Sequence, residues 1–543
     1  MNILSYWIYI IVVSAISFVP GLAITGRLKK LDILEKLAIS FGFSFIVIAL
    51  MVPFLAFKLD YPARLFIAGI IVVSLFSLLM NREGLKFDPE SRFLLFVLVA
   101  GFVSRFFLQT QWEYPAMGGD WFGHAFVWPY RFETGDWMPE RDRTPLFGLL
   151  IYAYHNILGT SLYQYWISQI IGVVLNSVFI LPAFLIARKV FGDRVAKASA
   201  LFMIITPFLV FNSLYTWPKN AAMYGILMMI YFLFFSDLDI KLRYPLAGFF
   251  AGLGFWFHNY AVFYIGIAVL LLLFKENMFR STQRIYDDIK KLSYFFLVLF
   301  IVLAPYFAWV YSFYGTFSTS KFIYYPFAIN GYESAFLENK QEFFKIFYST
   351  PLREIIMVRI SNAAVTLAPL AVPINPQVAG LHTYNPVFYY SHDYPGALST
   401  LMYLVIITVF LRYFLGKIKI NSVLSYFVIL PILIHLVLYG WKEWGLLSGG
   451  LHPTIPILII IGFNELYRSF NTFNVRRLIL LVFITAVIDN IIFFYLIKKL
   501  YFLEGGIKEV GNSLHQIVPS ADVSQFISAY FFLRNGMDPV INL

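Results

Sequence analysis

Few side chains in this chain of 543 residues can do chemistry, and the densest group of them lies between Trp112 and Thr144, which reads WEYPAMGGDWFGHAFVWPYRFETGDWMPERDRT. Asp120 stands out within it. Two glycines precede it, and Trp121, Phe122, Ala125, Phe126 and Trp128 follow at helical spacing, which predicts a short helix lying on an apolar surface with the aspartate at its start. A carboxylate held there can take the proton of an attacking hydroxyl. It can equally be no more than a helix cap. His124 lies one helical turn further on and could orient that carboxylate or touch a substrate. Glu113, Asp136, Glu140 and Asp142 read mostly as solvated charges, although one could be a second acid. His258, Asn259 and His452 flank other polar turns, and with Asp120 the two histidines could hold a divalent ion. No metal or other cofactor is required by the sequence. With no cysteine in the chain, disulfides, thiolate metal sites and a cysteine nucleophile are excluded.

These residues must be positioned by a membrane protein. The chain is 60% hydrophobic and only 13% charged, and its apolar runs repeat at the length of roughly 17 to 25 residues that a helix needs to cross a bilayer. The alternation that marks a transmembrane barrel is absent. The net charge of +11 does not point to nucleic acid, because no basic patch with interleaved aromatics stands on a soluble segment. We therefore expect an all-α polytopic membrane protein of about 14 spans, near 4–25, 37–57, 63–80, 91–110, 162–187, 197–216, 220–236, 244–257, 259–274, 292–313, 397–415, 421–440, 453–467 and 477–497. The first reads as a permanent span rather than a signal peptide, since no basic segment or small-residue cleavage site accompanies it.

Lysine and arginine mark alternate loops. Arg27, Lys29 and Lys30 begin the basic set, which continues with Arg82, Arg188, Lys241, Lys275, Arg412 and Arg468 and their neighbours; these loops should face the cytoplasm. The other set holds 113–143, the turns at Trp217-Pro218-Lys219 and His258-Asn259, the insert 314–396 and 441–453, so both termini and the polar chemistry should lie outside. The expected organisation is three accessory N-terminal spans (1–90), a core (91–313) with an outer loop at 111–161, an outer cap (314–396), further spans (397–499) and an outer tail (500–543). Within the cap, Phe343 to Arg359 is amphipathic and suited to lie flat at the interface. There is no repeat of fixed period and no inverted pair of broken helices.

The order of elements resembles the GT-C superfamily of membrane glycosyltransferases, the group of the protein O-mannosyltransferases and aminoarabinose transferases. A span leads to Gly119-Asp120, His124 and a surface helix running to Gly135. Arg143-Thr144-Pro145-Leu146 then looks like the Arg-Pro-Pro-Leu motif that opens the second surface helix, with Gly159 after it. Thr206-Pro207-Phe208 leading to Trp217-Pro218-Lys219, the glycine-rich Gly248 to Phe255 before His258, and Gly450-Leu451-His452-Pro453 are similar to later outer motifs. The likeness covers about 91–468. It departs in three ways: the three extra N-terminal spans, Asp120-Trp121 in place of an acidic pair, and Thr144 in place of a proline.

The resemblance implies a GT-C-like fold and transfer of a sugar from a polyprenyl-phosphate carrier to a hydroxyl or amine on the outer face, with inversion. Asp120 would be the general base. Lys219, His452, Arg143, Arg141 and Arg105 are candidate cations for the departing phosphate, and His124, His258 and Asn259 would touch or orient the acceptor, a lipid, glycan or protein. Arg105, near the outer end of its span, could instead snorkel to the interface. A transporter or flippase of a lipid-linked saccharide is the alternative; it would need polar residues along an inner path, and the spans carry few charges at mid-depth.

Overall fold

The structure, a computed structural model, describes residues 3–80, 87–111, 126–139, 144–162, 164–214, 217–275, 282–317, 327, 340–367, 399–438, 450–470 and 472–503. Its regular elements are all helices, with no strand among the described residues. They run α1 (Ile3–Thr25), α2 (Ile33–Ala49), α3 (Val52–Ala56), α4 (Asp60–Met80), α5 (Pro89–Gln111), α6 (Trp128–Thr134), α7 (Leu146–Leu158), α8 (Tyr165–Ser177), α9 (Ile180–Phe191), α10 (Asp193–Ile205) and α11 (Pro207–Leu214). Then come α12 (Lys219–Phe234), α13 (Ile240–Phe257), α14 (Ala261–Lys275), α15 (Thr282–Tyr314), α16 (Lys340–Ser349), α17 (Leu352–Leu367), α18 (Thr400–Phe414), α19 (Ser422–Leu438), α20 (Thr454–Ser469) and α21 (Thr472–Leu503).

Each expected span falls on one of these helices or on a consecutive pair. By length and composition alone, five stretches can cross a membrane, 7–25, 33–56, 62–80, 166–191 and 289–314, and α10 with α11 passes as a sixth if counted together. Those two meet at a bend of 56°. The cause is local: Pro207 has no N–H to give to the turn before it, and Thr206 turns its hydroxyl back to Phe202 O at 2.8 Å. The amphipathic stretch expected between Phe343 and Arg359 forms parts of α16 and α17.

At the centre stands α12, buried from Lys219 to Leu233. Being apolar all round, it needs protein on every side. Glycines let α13 approach, since a Cβ on Gly225 would lie 2.7 Å from Gly254 N. On another side α2 reaches it, with Tyr224 OH donating to Ala38 O at 2.5 Å and Tyr231 OH to Glu35 Oε1 at 2.8 Å. The N-terminal helices are thus packed into the core rather than appended to it.

The two ends of the bundle differ in their chemistry. At one, ion pairs join loops of the basic set: Lys30 to Asp239 at 2.5 Å, Arg188 to Asp32 at 3.3 Å, Lys197 to Glu90 at 3.3 Å, and Lys189 to Asp237. At the other, aromatic and amide groups join the remaining loops. Trp309 Nε1 donates to Trp137 O at 2.7 Å, Tyr314 OH to Pro139 O, and Arg64 Nε to Asn156 O at 2.8 Å. The sorting of loops expected from charge is therefore also a sorting in space.

Candidate functional site

Two short helices lie at the aromatic end. Both stop where glycines were expected to stop them, at Gly135 (φ +90°) after α6 and at Gly159 (φ +65°) after α7. They pack through rings: Phe132 stacks on Trp137 at 4.9 Å, and Trp137 meets Tyr152 edge-on at 6.1 Å. Asp136 closes the turn after α6 by accepting from Arg131 Nε at 2.7 Å and from Met138 N at 3.1 Å. Partial burial raises its carboxyl, but these hydrogen bonds and the Arg131 charge outweigh that and hold it below the usual range. On α7, His155 is buried between Thr160 Oγ1 and Ser168 Oγ, each at 2.9 Å from a ring nitrogen. Burial pushes its imidazole down to about 3, against a smaller opposing hydrogen bond at Thr160.

The polar turns that precede α12, α14 and α20 converge at this end. Pro218 starts α12, and Lys219 behind it is only 3% exposed, its Nζ 3.5 Å above the ring of Trp217. Tyr260, in the turn between α13 and α14, donates its hydroxyl to Lys219 O at 2.7 Å and its backbone N–H to His258 Nδ1 at 3.2 Å. His452 sits just ahead of α20 and is 1% exposed. Its ring lies among Phe208 (4.9 Å), Tyr260 (6.0 Å, stacked) and Trp217 (6.2 Å, edge-on), with Nε2 3.3 Å from Asn212 Oδ1.

Gly450 makes that packing possible. Its φ of +115° lies in the left-handed region, and a Cβ there would fall 2.6 Å from the Tyr260 ring. Its carbonyl accepts from Tyr264 OH at 3.2 Å.

Lys219 and His452, 233 positions apart in the numbering, thus share Trp217 and Tyr260 as neighbours. His258 joins them through Tyr260, and Asn259 stands half-buried in the same turn. Arg105 does not snorkel. It is fully buried on α5, its Nη1 turns back to Gly101 O at 3.2 Å, and Nε and Nη2 meet no hydrogen-bond partner among the described residues. The sequence indicates its depth; a helix side chain directed toward the helix start carries the head away from the nearer interface. Asp120, His124, Arg141 and Arg143 lie outside the described residues. Among the described residues, no three His, Asp or Glu side chains come together to hold a metal.

Sequence reasoning did not single out Asn212 or Tyr260, and it met Phe208 only within the Thr206-Pro207-Phe208 motif. An amide in the apolar run Leu209-Val210-Phe211-Asn212 was the available signal, since a polar group there needs a partner.

Residues 142–309 match the family described as dolichyl-phosphate-mannose-protein mannosyltransferase. This segment is of the GT-C type. The chain is a membrane glycosyltransferase, similar to mannosyltransferases over a segment that runs from the Arg143 motif into α15 and contains Lys219, His258 and Asn259. No curated protein and no solved structure matches the chain.

Proposed function

We propose that the protein transfers a sugar from a polyprenyl-phosphate carrier to a hydroxyl or amine of a lipid, glycan or protein at the non-cytoplasmic face of a cell membrane, with inversion. The observation that carries this reading is the meeting of Lys219 and His452 across Trp217 and Tyr260, at the end of the bundle away from the basic loops. A cation within a shell of aromatic rings suits a lipid phosphate, whose headgroup is anionic and whose chain stays in the bilayer.

In the reaction the acceptor oxygen or nitrogen attacks the anomeric carbon. Asp120 takes its proton, and the anomeric C–O bond breaks with its electron pair passing to the phosphate. The lipid phosphate gains negative charge as it leaves, and Lys219 and His452 offset it, with Arg141 and Arg143 as further cations in this reading. His124, His258 and Asn259 touch or orient the acceptor in this reading. The core is residues 91–313, supported by spans on both sides, with the cap at 314–396 and both termini outside.

Asp120→Asn tests the base. In proteoliposomes supplied with polyprenyl-phosphate mannose and acceptor, it should lower transfer by about 10²–10⁴-fold, the usual contribution of general-base catalysis, with unchanged elution and melting. Transfer at the parental rate would remove Asp120 from the mechanism.

A further inference from the structure

Asn212 has an amide whose orientation is fixed by its own helix. Its Nδ2 donates to Phe208 O, one turn earlier, at 2.9 Å. Turning the amide over would set its oxygen against that carbonyl oxygen, so Oδ1 must be the atom facing His452 Nε2 at 3.3 Å. A carbonyl oxygen only accepts. The imidazole nitrogen opposite it must therefore carry a hydrogen.

From this the geometry points to Asn212 as a positioning residue that holds His452 in its Nε2–H form, which makes Nδ1 the nitrogen that gains and loses a proton. The inference rests on the reading that His452 serves the donor phosphate, and it says which atom does so. Protonated Nδ1 donates to a phosphate oxygen; unprotonated, it does not. Asn212 tolerates both states because Nε2–H is unchanged between them.

The groups that face this ring decide how readily Nδ1 is charged. Tyr260 stacks on it and Trp217 meets it edge-on, while Phe208 completes the enclosure. Aromatic faces favour the cation. Lys219, over the same Trp217, is the like charge that opposes it, and His258 lies behind Tyr260. The rest of α11 contributes no titratable side chain, nor do the residues of α20 before Glu465.

The test uses the full-length protein with ¹⁵N-labelled histidine in detergent micelles, the His452 signals being assigned by their loss in His452→Gln. At pH 8 the ¹⁵N shifts should report a protonated Nε2 and an unprotonated Nδ1; the opposite tautomer would overturn the proposal without any variant of Asn212. Asn212→Asp should raise the pH at which Nδ1 takes up a proton by about one unit or more, as an adjacent carboxylate does. The alkaline limb of the transfer profile, where protonated Nδ1 is lost, should move to higher pH with it. A midpoint that stays in place in Asn212→Asp would also count against the proposal. If tautomer and midpoint behave as described and no sugar transfer occurs, the fault lies in the proposed function and not in the role of Asn212.

Discussion

At the residue scale, the cations separate into those the chain brings together and one it isolates. Lys219 and His452 were legible because each adjoins a proline that starts a helix, in loops without excess basic charge. Their shared neighbours were not legible, since Trp217 and Tyr260 read as two more aromatics among 107 Phe, Trp and Tyr residues. Arg105 shows the opposite difficulty, its depth being readable and its direction not. His155 provides a test of burial in the surface helix α7. Because its folded imidazole is held at about 3 against an ordinary 6.5, its contribution to stability is complete above 6.5 and is lost as the pH falls from 6.5 toward 3. The loss should approach 1.4 kcal/mol for each pH unit at most. Melting followed by tryptophan fluorescence should therefore fall steeply below pH 6.5, and His155→Gln should flatten that slope. An unchanged slope would mean that the ring is protonated without cost.

At the element scale, helix existence was legible and helix continuity was not. The apolar length of 197–216 reads as one span, but Thr206-Pro207 bends it, and the bend carries Phe208 and Asn212 on α11, where they meet His452. Of the helix read from aromatic spacing, the described part, Trp128–Thr134, ends at the expected Gly135, and the helix opened by the Arg143-Thr144-Pro145-Leu146 motif ends at Gly159. A cap supplied from another helix was not legible. The start of α18 has no cap of its own, and Asp489 of α21 accepts from Thr400 N at 2.7 Å and from Thr400 Oγ1 at 3.2 Å. Asp489→Ala should cost about 0.5–2 kcal/mol, the usual range for a lost cap, and Asp489→Asn less, because an acceptor remains. Thermal unfolding in detergent would reveal the ranking; equal melting of all three proteins would deny the cap its role.

At the scale of the whole molecule, charge sorted the loops before any contact was known, and the ion pairs Lys30–Asp239, Arg188–Asp32, Lys189–Asp237 and Lys197–Glu90 each join one loop of the basic set to another. The sequence could do this because the positive-inside rule acts on loops, independent of how helices pack. Packing itself was less readable. The three N-terminal spans looked accessory, yet α2 lies directly on α12 through Tyr224 and Tyr231. A chain with no native cysteine allows the orientation to be tested without background. In whole cells, Thr316→Cys, exposed beyond α15, should react with a membrane-impermeant maleimide, and Lys417→Cys, exposed beyond α18, should react only after permeabilisation. The reverse pattern would place the Lys219–His452 cluster at the cytoplasmic face.

The claim that most needs testing is that this cluster serves the phosphate of a lipid-linked sugar. Release of polyprenyl phosphate from polyprenyl-phosphate mannose, followed by mass spectrometry in proteoliposomes with acceptor present, measures it directly. Removing one donor that stabilises developing negative charge costs about 2.7–4 kcal/mol, so Lys219→Met should release the carrier at least about 10²-fold more slowly than the parent. Equal rates for the parent and Lys219→Met, or no release by either, would contradict the account.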